Sequence, residues 1–507
     1  MSGGESHPEP LVGPVVLIGP PGAGKSTVGA LAARRLGLPF LDLDDEIARA
    51  AGSSVDELFV AEGETSFRVR EAAALHAALD GRNVVIAAGA GVVDAAPNRT
   101  ALARAHVIWL DVDDDTALLR LAGARPWLPA DREEQRTAYR LREARRRALR
   151  ATLAAARVDG RAAPDVAAAA LSDVVAALPL PVAEWRGDAL AEPRVVERAA
   201  AEPSGLVAGG LALIDDGVPQ AVPGVRLPGG ERSKTTAGLE RVLRVLHASY
   251  GRARARQDAE PIVAVGGGAF LDVVGTAAAL WRRGTPWIAV PTTPLAMADA
   301  ALGGKTALDL DDTKNALGAF HAPDETQLWL GFLASASAVQ LADGQAEALK
   351  HAWLTGTPLE DKAEPARWVR RSLAIKAGVV ARDPRERGLR RALNLGHTVG
   401  HALERVHGLS HGEAVRRGLL ATLWLSEELL GLDRAVSSWL RPTVAALGPL
   451  PPFALDAERA QQALSRDKKG GRFVLLAALG RPVLVTPPAA LVPEALAVAA
   501  RGTELPP

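Results

Sequence analysis

The chain has 507 residues and balances 59 Lys plus Arg against 59 Asp plus Glu, so it carries no net field to attract nucleic acid or an anionic membrane, and substrate charge must be met locally. It is too long for one ordinary core, which predicts two or more domains, and with no cysteine it excludes disulfides, thiolate nucleophiles and Cys-ligated zinc. The first thirteen residues are polar and rich in Pro and Gly without a signal-peptide pattern, and no window is apolar and long enough to span a bilayer, so a cytoplasmic protein is expected.

From Val15 the order VVLIG, PPGAGKST and an Ala/Leu/Arg run predicts strand, loop and helix. Gly19, Gly24, Lys25 and Ser26 fit GxxxxGK[ST], in which backbone N–H groups wrap phosphate oxygens, the lysine reaches the β/γ-phosphates and the hydroxyl meets Mg²⁺. Asp42 and Asp44 end a predicted strand; two apart, they face opposite ways unless the strand stops between them. One could serve Mg²⁺ and the other a substrate hydroxyl, and a helix N-cap is the alternative. GETSFRVRE follows on or just before a helix, and VVIAAGAGVV then leads a strand into a glycine turn.

These blocks together resemble shikimate kinases. The resemblance implies that Gly22, Ala23, Gly24, Lys25, Ser26 and Thr27 hold ATP, that Ser26 and Asp42 hold Mg²⁺, and that Asp44, Arg68 and the turn Gly89, Ala90, Gly91 meet shikimate. Arg125, opening the lid-like Arg125-Pro126-Trp127-Leu128, corresponds to an arginine that faces the nucleotide, and Arg146 to the second substrate arginine, with Arg145 and Arg147 as alternative registers. The other arginines between Arg132 and Arg157 read as a solvated helix face. The chain departs from the kinase pattern at Ala90, where the family has glycine, and at Arg150, where it has tyrosine.

Between Ala162 and Gly205 the composition turns to Ala, Pro and Glu, with PLPVAEW the expected junction. PGGERSKT, the strand-like PIVAV running into Gly266, Gly267, Gly268 and Asp272, then VPTTPLAMADAALGGKT and DDTKNALGAF follow. Glycines after a buried strand and before a helix are where backbone must approach a pyrophosphate. Beyond GxAExxK (Gly344, Ala346, Glu347, Lys350) lies LNLGHTVGHALERVHGLSHGE. His397 and His401, four apart, share a face if helical, and Gly408 offers the turn that returns His411 beside them. Three imidazoles could then meet one metal ion, or a distant Glu could complete the set.

RxxLNxGHTxGHAxE followed by HGE resembles the metal-binding signature of 3-dehydroquinate synthases. The resemblance implies Glu347, His397 and His411 as ligands of Zn²⁺ or Co²⁺, with His401 at the substrate. For NAD it implies Glu231, Lys234, Gly266, Gly267, Gly268, Asp272, Thr292, Thr293, Lys305, Lys314 and Asn315. For substrate and reaction it implies Asp299, Lys305, Lys350, Lys376, Glu386, Arg390, Asn394, His401 and one or both of Lys468 and Lys469 on the phosphate. Arg283 matches an arginine lent across a dimer, and Val339 and Gln340 replace an Arg–Glu pair in a loop near NAD.

The expected fold is therefore α/β: a P-loop kinase domain with a parallel sheet over 1–180, then a synthase-like part over 181–507, split into a nucleotide-binding α/β half (about 181–335) and an α-helical metal-binding half (about 336–507). The resemblance implies two activities, ATP-dependent phosphorylation of shikimate and conversion of 3-deoxy-D-arabino-heptulosonate 7-phosphate to 3-dehydroquinate, the latter with NAD reduced and reoxidised in each cycle. Small-molecule substrates, no nucleic acid, no membrane and a homodimer through the second half are expected. A related sugar-phosphate cyclase and a glycerol-dehydrogenase-like oxidoreductase are the competing readings of that half.

Overall fold

The structure is a computed structural model and describes residues 9–80, 82–121, 129, 131–184, 189–190, 193–198, 210–251, 260–311, 313–465 and 471–503. The chain forms two compact units. The first comprises Met1–Pro179 with Arg385–Ala392 and Val483–Val485; the second comprises Leu180–Pro384, Leu393–Pro482 and Thr486–Pro507.

In the first unit five parallel strands run in the order Phe40–Asp42, Val84–Ala87, Pro14–Ile18, His106–Asp111, Ala156–Asp159. Val15 stands opposite Val85 on one side and His106 on the other, which makes Pro14–Ile18 the central strand. Its alternate side chains feed two cores. Val15 and Leu17 pack with Val28, Ala32 and Leu171 of the helices Lys25–Leu36 and Pro164–Ala176. Val16 and Ile18 pack with Leu43, Leu75 and Leu102 on the opposite face. A strand covered on both faces must be apolar throughout, which is why VVLI reads as an unbroken run. The chain leaves this strand directly into the P-loop, so the loop sits at the carboxyl end of the sheet.

The second unit repeats the logic in a seven-stranded sheet ordered Val225–Leu227, Leu211–Asp215, Ile262–Gly266, Trp287–Pro291, Glu325–Leu328, Val195–Glu197, Ala189–Leu190, parallel except at the last pair. Val263 and Val265 enter one core while Ile262 and Ala264 enter the other. An antiparallel hairpin, Lys305–Leu310 with Thr313–Phe320, follows. Helices dominate beyond it, chiefly Ala338–Thr355, Pro365–Arg382, His397–His407 and His411–Leu430. The same stretch of chain also forms two strands, Phe473–Ala478 and Arg481–Val485, which the sequence reading as a helical half did not single out. Among the described residues no helix is long and apolar enough to cross a membrane.

Candidate functional site

The P-loop of the first unit opens into a cleft of about 300 Å³ that gathers Gly22, Gly24, Lys25, Ser26, Thr27, Asp42, Asp44, Arg68, Gly89, Ala90, Gly91 and Arg146. Ala23, buried beneath it, belongs to the core. Lys25 Nζ donates to the carbonyls of Gly19 and Pro20, each at 3.1 Å. Burial, and then the Arg150 guanidinium, lower its pKa to about 8. The strand ends at Asp42, so the two aspartates do not diverge to opposite faces: Asp42 caps the helix Leu43–Ala51, accepting from the Asp44 N–H at 3.0 Å, and both line the cleft. Burial and the neighbouring Asp42 push the Asp44 carboxyl upward.

Gly63, at φ 80 and ψ 168, kinks the helix Val55–Ala78 at the start of GExxFRxxE. Beyond the kink Arg68 is gripped by Glu71 at 2.8 Å and Glu64 at 3.0 Å. A Cβ on Gly91 would lie 2.3 Å from the Arg68 guanidinium, and one on Gly89 2.3 Å from Glu71 Oε1, so the outer glycines of the turn let these side chains against the backbone. Ala90 lies between them and is half-buried. Of the three candidate registers, Arg146 is the arginine in the cleft; Arg145 is exposed and Arg147 pairs with Asp111 and Asp114. Asp94 takes Arg146 Nε at 3.0 Å and Nη2 at 2.5 Å, and Glu143 takes Nη1 at 3.2 Å. Arg125 and the rest of the lid-like motif lie outside the described residues.

In the second unit the histidine motif folds as its spacing requires. The helix His397–His407 stops at Gly408, φ 67, and the next helix starts at His411 behind a Ser410 cap. The two helices touch backbone to backbone: a Cβ on Gly418 would sit 1.8 Å from the Gly396 carbonyl, and one on Gly400 2.8 Å from that of Ala414. This closeness brings the imidazoles together, with ring centroids 5.5 Å apart for His397 and His411 and 5.1 Å for His397 and His401. Glu347 enters from the helix Ala338–Thr355, and its Oε1 lies 3.2 Å from Nε2 of both His397 and His411.

Ligand atoms of Glu347, His397 and His411 all lie within 4.8 Å of one another, the separation a single ion can bridge. His397 Nδ1 faces the Leu395 carbonyl at 3.0 Å, which fixes the tautomer and leaves Nε2 toward the cluster. Burial opposes charge on Glu347, but Lys350 and His397 hold its carboxyl well below the usual range. Burial likewise opposes charge on His411, yet Glu347 and Glu404 raise its pKa to about 10. Glu404 belongs to the quoted GHAxE pattern, whereas Asp343 and His351 escaped sequence reasoning. Asp343 accepts from the Gly412 N–H at 2.8 Å and the Ser410 hydroxyl at 2.9 Å; Glu404 sits 3.8 Å from His411 Nδ1; His351, fully buried beside Glu347 and Asp299, has its pKa pushed down to about 3 by burial and then Lys350.

Several of the remaining positions pair with one another. Lys376 Nζ donates to Asp299 Oδ1 at 2.7 Å and to its carbonyl at 2.6 Å, with Asp299 in a wide π-helical turn over Ala296–Ala300. Lys234 meets Asp272 at 2.7 Å, and burial raises Asp272 to about 6 despite that partner. Lys314 reaches Glu404 at 2.8 Å and Glu231 at 3.5 Å. Asn315, φ 52, donates its N–H to Asp309, while Lys305 is exposed at the hairpin's start. Gly266, Gly267 and Gly268 lead the strand Ile262–Gly266 into the helix Gly268–Leu280; a Cβ on Gly267 would lie 3.3 Å from Thr293, and the Thr292 N–H donates to the Gly266 carbonyl. Arg390 is buried in the turn Leu389–Asn394, which ends at the half-buried Asn394, and Glu386 has φ 55. Val339 is exposed, and Gln340 completes a capping box with Ser337, so the second replacement serves the start of the helix Ala338–Thr355. Lys468 and Lys469 lie outside the described residues.

Fold and comparisons together define a bifunctional biosynthetic enzyme, a P-loop phosphotransferase joined to a phosphorus–oxygen lyase. The shikimate kinase family model matches residues 21–176, and the N-terminal and C-terminal models of 3-dehydroquinate synthase match 224–343 and 331–470. The bifunctional shikimate kinase/3-dehydroquinate synthase of Thermotoga maritima is 30% identical over 483 residues, covering 90% of this chain and 93% of its own. The chain belongs to that bifunctional family. A 3-dehydroquinate synthase of Methylacidiphilum infernorum is 37% identical over 281 residues, 52% of this chain and 76% of its own. Among solved structures, 2-deoxy-scyllo-inosose synthase complexed with carbaglucose-6-phosphate, NAD⁺ and Co²⁺ aligns with a TM-score of 0.51 at 25% identity, over 58% of this chain and 90% of that one.

Proposed function

We propose that the first unit moves the γ-phosphoryl group of ATP to a shikimate hydroxyl, and that the second converts 3-deoxy-D-arabino-heptulosonate 7-phosphate to 3-dehydroquinate and phosphate. The kinase assignment is carried by the convergence of Lys25, Asp44, Arg68 and Arg146 on one cleft. Lys25, Ser26 and the loop N–H groups suit nucleotide phosphates, and Ser26 and Asp42 offer oxygen ligands suited to Mg²⁺. Arg68 and Arg146 present guanidinium groups already oriented by carboxylates, the geometry that receives a substrate carboxylate. Asp44 then orients the acceptor hydroxyl, since phosphoryl transfer is chiefly positioning and electrostatics.

The synthase assignment is carried by the Glu347, His397 and His411 cluster, whose two imidazoles and one carboxylate fit Zn²⁺ or Co²⁺. The glycines at 266–268, with Lys234, Asp272, Thr292 and Thr293 nearby in sequence or contact, fit a dinucleotide. Bound there, the metal would polarise a substrate oxygen and NAD would accept and return hydride. Around it Asp299, Lys350, Lys376, Asn394 and His401 would bind and orient the sugar acid. Balanced charge and small-molecule sites support a cytoplasmic enzyme without nucleic acid or membrane partners. A homodimer would place the exposed Arg283, φ 64, at a neighbouring subunit.

The test is to give the purified chain heptulosonate phosphate with catalytic NAD, and separately shikimate with ATP, and to follow products. Dehydroquinate should exceed the NAD supplied without matching NADH absorbance, and shikimate 3-phosphate should form. Stoichiometric NADH from a simple polyol, without dehydroquinate, would overturn the synthase assignment.

A further inference from the structure

The helix Arg132–Leu153 buries Tyr139, Glu143, Arg146 and Arg150, spaced to share one helical face. Three of these form a continuous chain of charge. Arg150 Nη1 donates to Glu143 Oε2 at 2.5 Å, and Glu143 Oε1 accepts from Arg146 Nη1 at 3.2 Å. Arg150 Nη2 donates to the Ala90 carbonyl at 3.2 Å, and its Nε is buried without a partner. Arg150 is only 2% exposed. A buried arginine carries a desolvation cost that a well-packed apolar side chain avoids, so stability alone gives no reason for it. Ala90 and Arg150 are also the two positions at which the sequence departs from the kinase pattern, and one hydrogen bond joins them.

We propose that Arg150 is a positioning residue of the kinase site: it holds the Ala90 turn and, through Glu143, fixes the Arg146 guanidinium in the orientation that receives the carboxylate of shikimate. The proposal rests on the reading of this cleft as the shikimate site. Glu143 lies between two arginines with its side chain 3% exposed, and each oxygen has its own partner. Without Arg150 the full charge of that carboxylate would fall on Arg146 and draw it back from substrate. Arg68, held by Glu64 and Glu71, would be untouched. The Ala90 carbonyl would lose its donor, loosening the turn between Gly89 and Gly91. Arg150 also lowers the pKa of Lys25, which places its charge near the P-loop.

The test uses the full chain with Arg150→Met and Arg150→Lys. Arg150→Met should raise the KM for shikimate about tenfold while kcat and the KM for ATP stay within about twofold, a loss the size of one charge-assisted contact. Arg150→Lys, which keeps a cation on Glu143, should recover part of that loss. Adding Glu143→Gln to Arg150→Met should lower the KM again by removing the unopposed pull on Arg146. A merely structural arginine would lower the unfolding temperature and leave the KM alone. A folded Arg150→Met chain with unchanged KM for shikimate overturns the proposal; if that variant does not fold, Arg150→Lys is judged by the same readout. Arg146→Lys runs in parallel. If it leaves the KM for shikimate unchanged, the reading of the cleft fails; if it raises KM while the Arg150 variants do not, only the role of Arg150 fails.

Discussion

The kinase cleft and the histidine cluster are preorganised with opposite polarity. In the first, arginines line the cleft and carboxylates hold them: Glu64 and Glu71 on Arg68, Asp94 and Glu143 on Arg146. In the second, a carboxylate and two imidazoles face one another with the Lys350 ammonium paired to Glu347 from the same helix. An anionic acceptor and a cationic metal require opposite charges in front, and each choice dictates the counter-ion behind it. The means of assembly also differ. Two helices and the segment that follows the strand Val84–Ala87 contribute to the kinase arginine network, whereas two glycine-lined helices bring the histidines into place largely by backbone contact.

Separate assembly predicts separate failure. Lys25→Ala should lower shikimate phosphorylation by about 10³-fold and leave dehydroquinate formation at the parent rate, as removal of a charge acting on the transferred phosphoryl group implies. Loss of both activities in a chain with intact circular dichroism would break the comparison. His411→Ala acts on the other side. Supporting contacts around a metal are worth roughly 10–100-fold in affinity, so loss of a ligand should exceed about 100-fold and abolish cyclisation while kinase activity persists. Elemental analysis after dialysis checks it, and retention of one tightly held metal per chain would refute the ligand set.

The backbone contact gives a sharper test. Gly418→Ala would drive a methyl against the Gly396 carbonyl, so about 1–3 kcal/mol of destabilisation is expected, with weaker metal retention. Gly431→Ala, a control position where a Cβ meets nothing within 4 Å, carries only its φ 65 penalty and should leave metal retention intact. Equal metal loss in both would show that helix spacing does not set the cluster. The smallest effect concerns pH. With its pKa lowered to about 8 by burial and Arg150, Lys25 is charged below that value and neutral above it. ATP binding should therefore weaken a few-fold between about pH 7 and 9, and Lys25→Arg, charged throughout, should flatten the profile. Calorimetric titration across that range decides it.

The residues of both candidate sites were largely legible because they sit in contiguous patterns. PPGAGKST carries its own strand and helix, and GHTVGH with HGE carries helical spacing and a turn. Of the carboxylates that hold these groups, Glu64 and Glu71 lie within GETSFRVRE, whereas Asp94 and Asp343 were not legible, since they acquire partners only through tertiary packing. Glu143 was recoverable in principle: it lies three residues before Arg146 and seven before Arg150 on one helical face, but the many neighbouring arginines read as solvent-facing. Strict strand alternation misleads at Asp42 and Asp44, because the strand stops at Asp42 and the cap turns the chain. Gln340 shows the reverse case, a departure from a functional pattern that local helix capping accounts for.

The two carbonyls that hold Lys25, those of Gly19 and Pro20, bear on how the kinase turns over. An ammonium with free donors would gain the whole of each phosphate contact. On the proposed reading it would surrender bonds inside its own loop to reach the nucleotide, so association would be an exchange of partners and the net gain a difference. After transfer the reverse exchange would be open to it: as ADP left, the loop carbonyls would take back the ammonium, and the leaving phosphates would not abandon a bare buried charge. The loop thus carries its own substitute anchor, which would temper nucleotide affinity and ease product departure.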